Sequence, residues 1–138
     1  MNKFVMILAS MLALSTAATA NEVDITIDLS EQEMYVQTPI GSVMWPVSTG
    51  REGYRTPAGT FQPYRLAEMH YSKKYDGAPM PFSIFFEGGY AIHGTYDLKR
   101  LGRPASHGCV RLHPDAAEAL YEVVEYYGME STVVRIVP

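Results

Sequence analysis

Cys109 is the single cysteine of the chain. A thiol attacks a carbonyl carbon only as thiolate, so it needs a base or a cation close by. The four histidines, His70, His93, His107 and His113, are the candidate bases. Cys109 lies in Ala105-Ser106-His107-Gly108-Cys109-Val110-Arg111-Leu112. If residues 106 to 110 are extended, His107 and Cys109 point to the same side, because side chains alternate along a strand. His93 offers a second route. It closes the run Tyr90-Ala91-Ile92 and precedes Gly94, which reads as the end of a buried strand that can lie beside the cysteine. Spacing alone does not choose between the two histidines. Gly108 also has two readings. Its N–H can face the oxyanion of an acyl transfer, or the glycine serves only a turn or bulge. His70, His107, Cys109 and His113 are metal-ligand types, but their spacing matches no zinc motif, and no metal or other cofactor is expected.

The elements that must position these residues are mostly strands. Val23, Ile25, Ile27 and Leu29 alternate with Asp24, Thr26 and Asp28, the pattern of a half-buried strand. Met34 and Val36, then Val43, Trp45 and Val47, repeat it around a turn at Thr38-Pro39-Ile40-Gly41. A short strand is expected at Thr60 to Tyr64, after the turn Thr56-Pro57-Ala58-Gly59. Residues 65 to 81 read as an irregular stretch. Phe82 to Phe86 and Tyr90 to His93 read as two strands joined around Gly88-Gly89. One helix stands out: Pro114 suits its first position, and Ala116, Leu120, Val123, Val124 and Tyr127 share a face. Gly128 suits its end, and Thr132 to Val137 reads as a last strand. The expected fold is mostly β, a sheet or barrel with one helix packed on it.

Composition bounds the function. The chain has 138 residues, 47% hydrophobic, which suits one folded domain. Eleven Lys and Arg against fifteen Asp and Glu give a net charge of -4, which argues against a nucleic-acid partner. Met1-Asn2-Lys3, the apolar run Phe4 to Leu14 and Ala18-Thr19-Ala20 together read as a secretory signal peptide cut after Ala20. The mature domain is then 21–138, with no membrane span after cleavage. One cysteine excludes an internal disulfide, and in an exported chain it suggests an intermolecular bond or a free reactive thiol.

Ile92-His93-Gly94-Thr95, followed by Ser106-His107-Gly108-Cys109-Val110-Arg111, resembles the catalytic domain of the L,D-transpeptidases, the YkuD domain. Val47-Ser48-Thr49-Gly50, Tyr54-Arg55-Thr56-Pro57-Ala58-Gly59-Thr60-Phe61, Lys74-Tyr75-Asp76 and Ala78-Pro79-Met80-Pro81-Phe82 look like family segments in the family's order. The resemblance runs from about residue 23 to about 137 and implies a YkuD-type β-sandwich or barrel-like sheet. It also implies cysteine acyl transfer on peptidoglycan stem peptides. Cys109 would attack after the third stem residue, the terminal D-alanine would leave, and the thioester would pass to an amine of a second stem. His93 matches the family's base, oriented by the carbonyl of Gly94. His107 would stand on the oxyanion side, with the N–H groups of Gly108 and Cys109 as oxyanion donors and Ser106 holding the loop.

Two features depart from the common family pattern. Arg111 stands where many members carry Asn, and it reads either as a carboxylate-binding fork or as a structural ion pair. Only twelve residues separate His93 from Ser106, which shortens the loop beside the cleft. Residues 65 to 81 correspond to the region that covers the cleft in the family. Tyr75 and Tyr96 are expected to line it, while most other tyrosines read as ordinary strand residues. The same site with water as acceptor would be an L,D-carboxypeptidase. With a protein lysine as acceptor it would anchor a lipoprotein. A non-catalytic wall-binding module is the reading from another class, and it leaves the Cys109–His93 pair without a use. The expected location is the periplasm or cell wall.

Overall fold

A computed structural model describes residues 21–138, so the expected signal peptide lies outside the described residues. Among the described residues nine strands form two sheets. The first has the order β3-β2-β1-β9-β4 and the second β5-β6-β7-β8. The strands of the first sheet are β1 (Val23–Asp28), β2 (Glu33–Thr38), β3 (Gly41–Pro46), β4 (Gly59–Phe61) and β9 (Thr132–Val137). Those of the second are β5 (Arg65–Tyr71), β6 (Pro79–Glu87), β7 (Tyr90–Gly94) and β8 (Val110–Leu112). The chain is mostly β, as its residue pattern predicts. Among the described residues no helix is long and apolar enough to cross a membrane.

The first and last strands, β1 and β9, pair in parallel, so the two ends of the domain meet at the centre of one sheet. Val23, Ile25 and Ile27 are fully buried along β1, in the predicted alternation, and Met34 and Val36 continue that face on β2. From the second sheet, Ile84, Phe86, Ile92, Val110 and Leu112 meet them in one core.

The helix α1 (Pro114–Tyr127) completes this core through Ala116, Ala117, Leu120, Tyr121 and Val124. Burying side chains such as Leu120 and Val124 contributes roughly 1.5–3 kcal/mol each. His113 caps the helix, its Nδ1 accepting from the Asp115 N–H at 3.1 Å, and Gly128 (φ 96°) ends it. The helix start also sets a limit on β7. A Cβ on Gly94 would lie 3.2 Å from Pro114 Cα and 3.1 Å from Pro81 Cγ.

Three expectations change. First, β3 is an edge strand on which Trp45 is half-buried against the core but Val43 and Met44 are exposed; Val47, which is buried, lies beyond the strand. Second, residues 65 to 81 are not irregular throughout. Residues 65–71 form β5, which pairs with β6, and only 72–78 turn. The strand escapes a periodicity reading because both its faces are largely accessible, so no apolar alternation was required of it. Third, the condition that residues 106 to 110 be extended is not met throughout, although Val110 begins β8. His107 and Gly108 bend, and Gly108 has φ 124°.

Candidate active site

Strands β7 and β8 pair in parallel, with Ile92 opposite Val110 and His93 opposite Arg111. Ile92, Val110 and Leu112 enter the core, so the intervening side chains leave the sheet on its other face. Ala91 and His93 from β7, with Cys109 and Arg111 from the β8 side, therefore share that face. His93, Cys109 and Arg111 all line a cleft of about 1000 Å³. Ser106, His107, Tyr75 and Tyr96 line it too. The turn at 72–78 forms one wall, in the position expected of a cleft cover.

Cys109 packs against a small apolar cluster of Met80, Phe85 and Ala91. Burial there pushes its thiol up from the ordinary value, partly offset by the Ala91 backbone and the Arg111 charge. His93 is 6% exposed, and its pKa falls to about 4. Burial is the main cause. The hydrogen bond to Gly94 opposes the shift, while the nearby Arg111 and His70 add to it. His93 Nδ1 lies 2.7 Å from the Gly94 carbonyl oxygen. A carbonyl only accepts, so Nδ1 carries the proton and donates it, and Nε2 keeps its lone pair.

His107 is placed differently. Arg51 donates from Nη2 to His107 Nε2 at 3.1 Å, which occupies that lone pair. The ring stacks on Tyr75 at 4.0 Å and meets Tyr54 edge-on at 4.9 Å. Partial burial, then the charges of Arg51, Arg111 and Lys74, lower its pKa. The choice that spacing left open is thus narrowed by geometry. His93 presents a lone pair on the cysteine's face of the sheet, whereas the Nε2 of His107 is engaged elsewhere.

The cysteine loop is held by a buried polar network. Ser106 Oγ donates to the Cys109 carbonyl at 2.6 Å and accepts from the Gly108 N–H at 3.0 Å. Thr56 Oγ1 donates to the Gly108 carbonyl at 2.8 Å and accepts from the Gly50 N–H. Both polar groups of Gly108 are therefore committed to the loop, which leaves the Cys109 N–H as the candidate oxyanion donor of the two expected. Gly108 is required sterically as well. Besides its positive φ, an added Cβ would lie 2.4 Å from Tyr90 Cε1.

Behind the loop, residues 47 to 51 act as a brace. The N–H groups of Ala105 and Ser106 both donate to the Thr49 carbonyl, and Ser48 and Arg111 exchange two backbone hydrogen bonds. Gln32 clamps Thr49 in turn: its Oε1 accepts from the Thr49 N–H at 2.9 Å, and its Nε2 donates to Thr49 Oγ1 at 2.7 Å. Sequence reasoning overlooked Gln32 and Arg51 altogether. It saw Thr49 and Thr56 only as parts of family-like segments, since their partners lie far along the chain.

Arg111 has no carboxylate within ion-pair distance among the described residues, though the Asp97 charge acts on it across the cleft. Tyr96 is 64% exposed at the cleft mouth. His70 meets Phe85 edge-on inside the same cleft. Among the described residues no three His, Cys, Asp or Glu side chains gather as metal ligands.

A family model for the L,D-transpeptidase catalytic domain, YkuD, matches residues 22–136. The chain belongs to this family. It is similar to the probable L,D-transpeptidase YbiS of Escherichia coli K12, 30% identical over 128 residues, covering 72% of this chain and 41% of YbiS. It is also similar to the probable L,D-transpeptidase ErfK/SrfK of the same organism, 26% identical over 125 residues, covering 72% of this chain and 40% of that protein. The chain thus spans about two fifths of the length of these curated relatives. A solved L,D-transpeptidase from Stackebrandtia nassauensis superimposes with a TM-score of 0.74 at 27% identity, covering 94% of this chain and 62% of that one. One from Xylanimonas cellulosilytica gives 0.70 at 29% identity, covering 88% and 63%.

Proposed function

We propose that this chain is an exported cysteine L,D-transpeptidase acting on peptidoglycan stem peptides. The observation that carries the reading is the shared face of β7 and β8. It turns Cys109 and His93 into one cleft, with the His93 Nδ1–H held by the Gly94 carbonyl. This is the nucleophile, base and orienter of covalent acyl transfer.

The steps follow from that arrangement. Cys109 Sγ attacks the carbonyl of the third stem residue, and His93 Nε2 takes the thiol proton. The Cys109 N–H faces the resulting oxyanion. The tetrahedral adduct collapses, the C–N bond breaks, and His93 returns its proton to the departing D-alanine amine. A thioester remains. An acceptor amine then attacks it, His93 takes the amine proton, and the thiol is restored as the new amide forms. Arg111, two residues beyond Cys109 and without an ion-pair partner, suits the carboxylate of the terminal D-alanine. The leader-like residues 1–20 support export to the periplasm or wall.

Mass spectrometry of the purified protein with a disaccharide-tetrapeptide tests this. The expected product is a crosslinked dimer lacking one D-alanine; shortened stems alone would mean water is the acceptor. Cys109→Ala is expected to abolish both products. His93→Ala should lower turnover about 10²–10⁴-fold, and His107→Ala less. A Cys109→Ala protein with full activity overturns the reading.

A further inference from the structure

The cleft holds positive charge that the acyl-transfer steps do not use. Arg51 and Lys74 are exposed on its wall, and neither has a carboxylate within ion-pair distance among the described residues. The acids of the cleft do not neutralise them. Asp97 pairs with Arg100 at 3.2 Å, and Asp76 makes no ion pair with either cation among the described residues. The chain as a whole is acidic, so a cation-lined cleft is a local arrangement rather than a consequence of composition.

Arg51 is also held in place. Its guanidinium carbon lies 4.6 Å from the centre of the Tyr54 ring, and one N–H is donated to His107. His107 is stacked on Tyr75, and Lys74 Nζ lies 5.5 Å from the centre of that same ring. A guanidinium has five N–H donors, so most of the fork is left for a ligand. Its position is specific. Arg111 follows Cys109 by two residues, while Arg51 grips His107, two residues before it. In chain order the two guanidiniums therefore serve the loop on either side of the nucleophile, and both line the same cleft.

We infer that Arg51, with Lys74 beyond the Tyr75–His107 stack, forms a second carboxylate subsite that binds an internal carboxylate of the acyl-donor peptide. Arg111 holds the leaving end and Arg51 the retained part. The subsite selects donors that carry a free carboxylate on the retained side of the scissile bond, and it disfavours their carboxamide counterparts. The identity of the peptide rests on the acyl-transfer reading; the anion chemistry of the subsite does not.

The test compares two tetrapeptide donors, both with a free terminal carboxylate. One has its internal carboxylates free and the other has them converted to carboxamides. For the unaltered protein, KM is expected to be about tenfold higher with the carboxamide donor, the loss of one charged hydrogen-bonding partner. Arg51→Gln should remove that difference, and Arg51→Lys should keep part of it. A role confined to holding His107 would slow both donors equally and leave their ratio intact, which overturns the proposal, as does an unaltered protein that treats both donors alike. Calorimetric binding of both peptides to Cys109→Ala and to Cys109→Ala/Arg51→Gln separates the subsite from the reaction. Preference for the carboxylate donor that disappears with Arg51 upholds the subsite even if no turnover occurs. No preference, or no binding of either peptide, overturns it.

Discussion

The Cys109 thiol and the His93 imidazole are both neutral at rest. Burial against Met80, Phe85 and Ala91 raises the thiol, and burial of His93 lowers the imidazole to about 4. Each shift works against a pre-formed thiolate–imidazolium pair. Charge separation therefore has to develop during attack, where the oxyanion and the Cys109 N–H can share it. A consequence for pH follows. In the proposed reaction the base works only when His93 is unprotonated, so kcat/KM should fall on the acid side at about pH 4 rather than near 6.5. Arg111→Met removes a cation that helps to hold His93 down, so the acid limb should move to higher pH. A pH–rate series on both proteins checks this; an acid limb near 6.5 in the unaltered protein contradicts it.

At the scale of elements, the site depends on segments that carry no reacting group. The brace 47–51 ties the cysteine loop to the β1–β2 turn through Thr49 and Gln32. Gln32 is 4% exposed and adopts φ 52°, a conformation that costs a non-glycine residue about 1 kcal/mol. Its three side-chain hydrogen bonds, two to Thr49 and one to the Leu29 carbonyl, offset that cost. Gln32→Ala would leave the Thr49 N–H buried without its partner. We expect a loss of about 1–3 kcal/mol in stability, measured by urea unfolding. A slower acylation of Cys109 under conditions where the variant is fully folded should accompany it, because Thr49 also receives the Ala105 and Ser106 N–H groups. Unchanged acylation would confine Gln32 to a stabilising role.

For the whole molecule, the two sheets and α1 converge on one core, and the second sheet divides its faces between that core and the cleft. Stability and catalysis are thereby coupled through His93, which is buried within the folded domain. Its native pKa is depressed, so the unfolded chain binds its proton more readily. Its contribution is intact above the unfolded value of 6.5 and is lost as pH falls through about 4. The full loss is roughly 3 kcal/mol. Denaturant unfolding between pH 7 and pH 4 should show this decline, and His93→Gln should flatten it. An equal slope in both proteins would place the acid sensitivity in other groups.

Much of this molecule is written locally. The alternation of Val23, Ile25 and Ile27, the face of α1 and its Pro114 and Gly128 ends are consequences of period and backbone preference, and they appear where the residues predict them. The family was legible on other grounds, the resemblance carried by the short contiguous segments around His93 and Cys109. What separates the two candidate histidines was not local. His93 and His107 are equivalent by residue type, and they differ only because β7 lies parallel to β8 while Arg51 reaches His107 from another segment. Nor could spacing show that Gly108 has both backbone groups engaged, that β5 is a strand, or that Gln32 supports the cysteine loop. Those outcomes depend on hydrogen bonds and pairings between distant residues. Tertiary structure alone brings such groups within reach, and with them the burial that sets the protonation of the site.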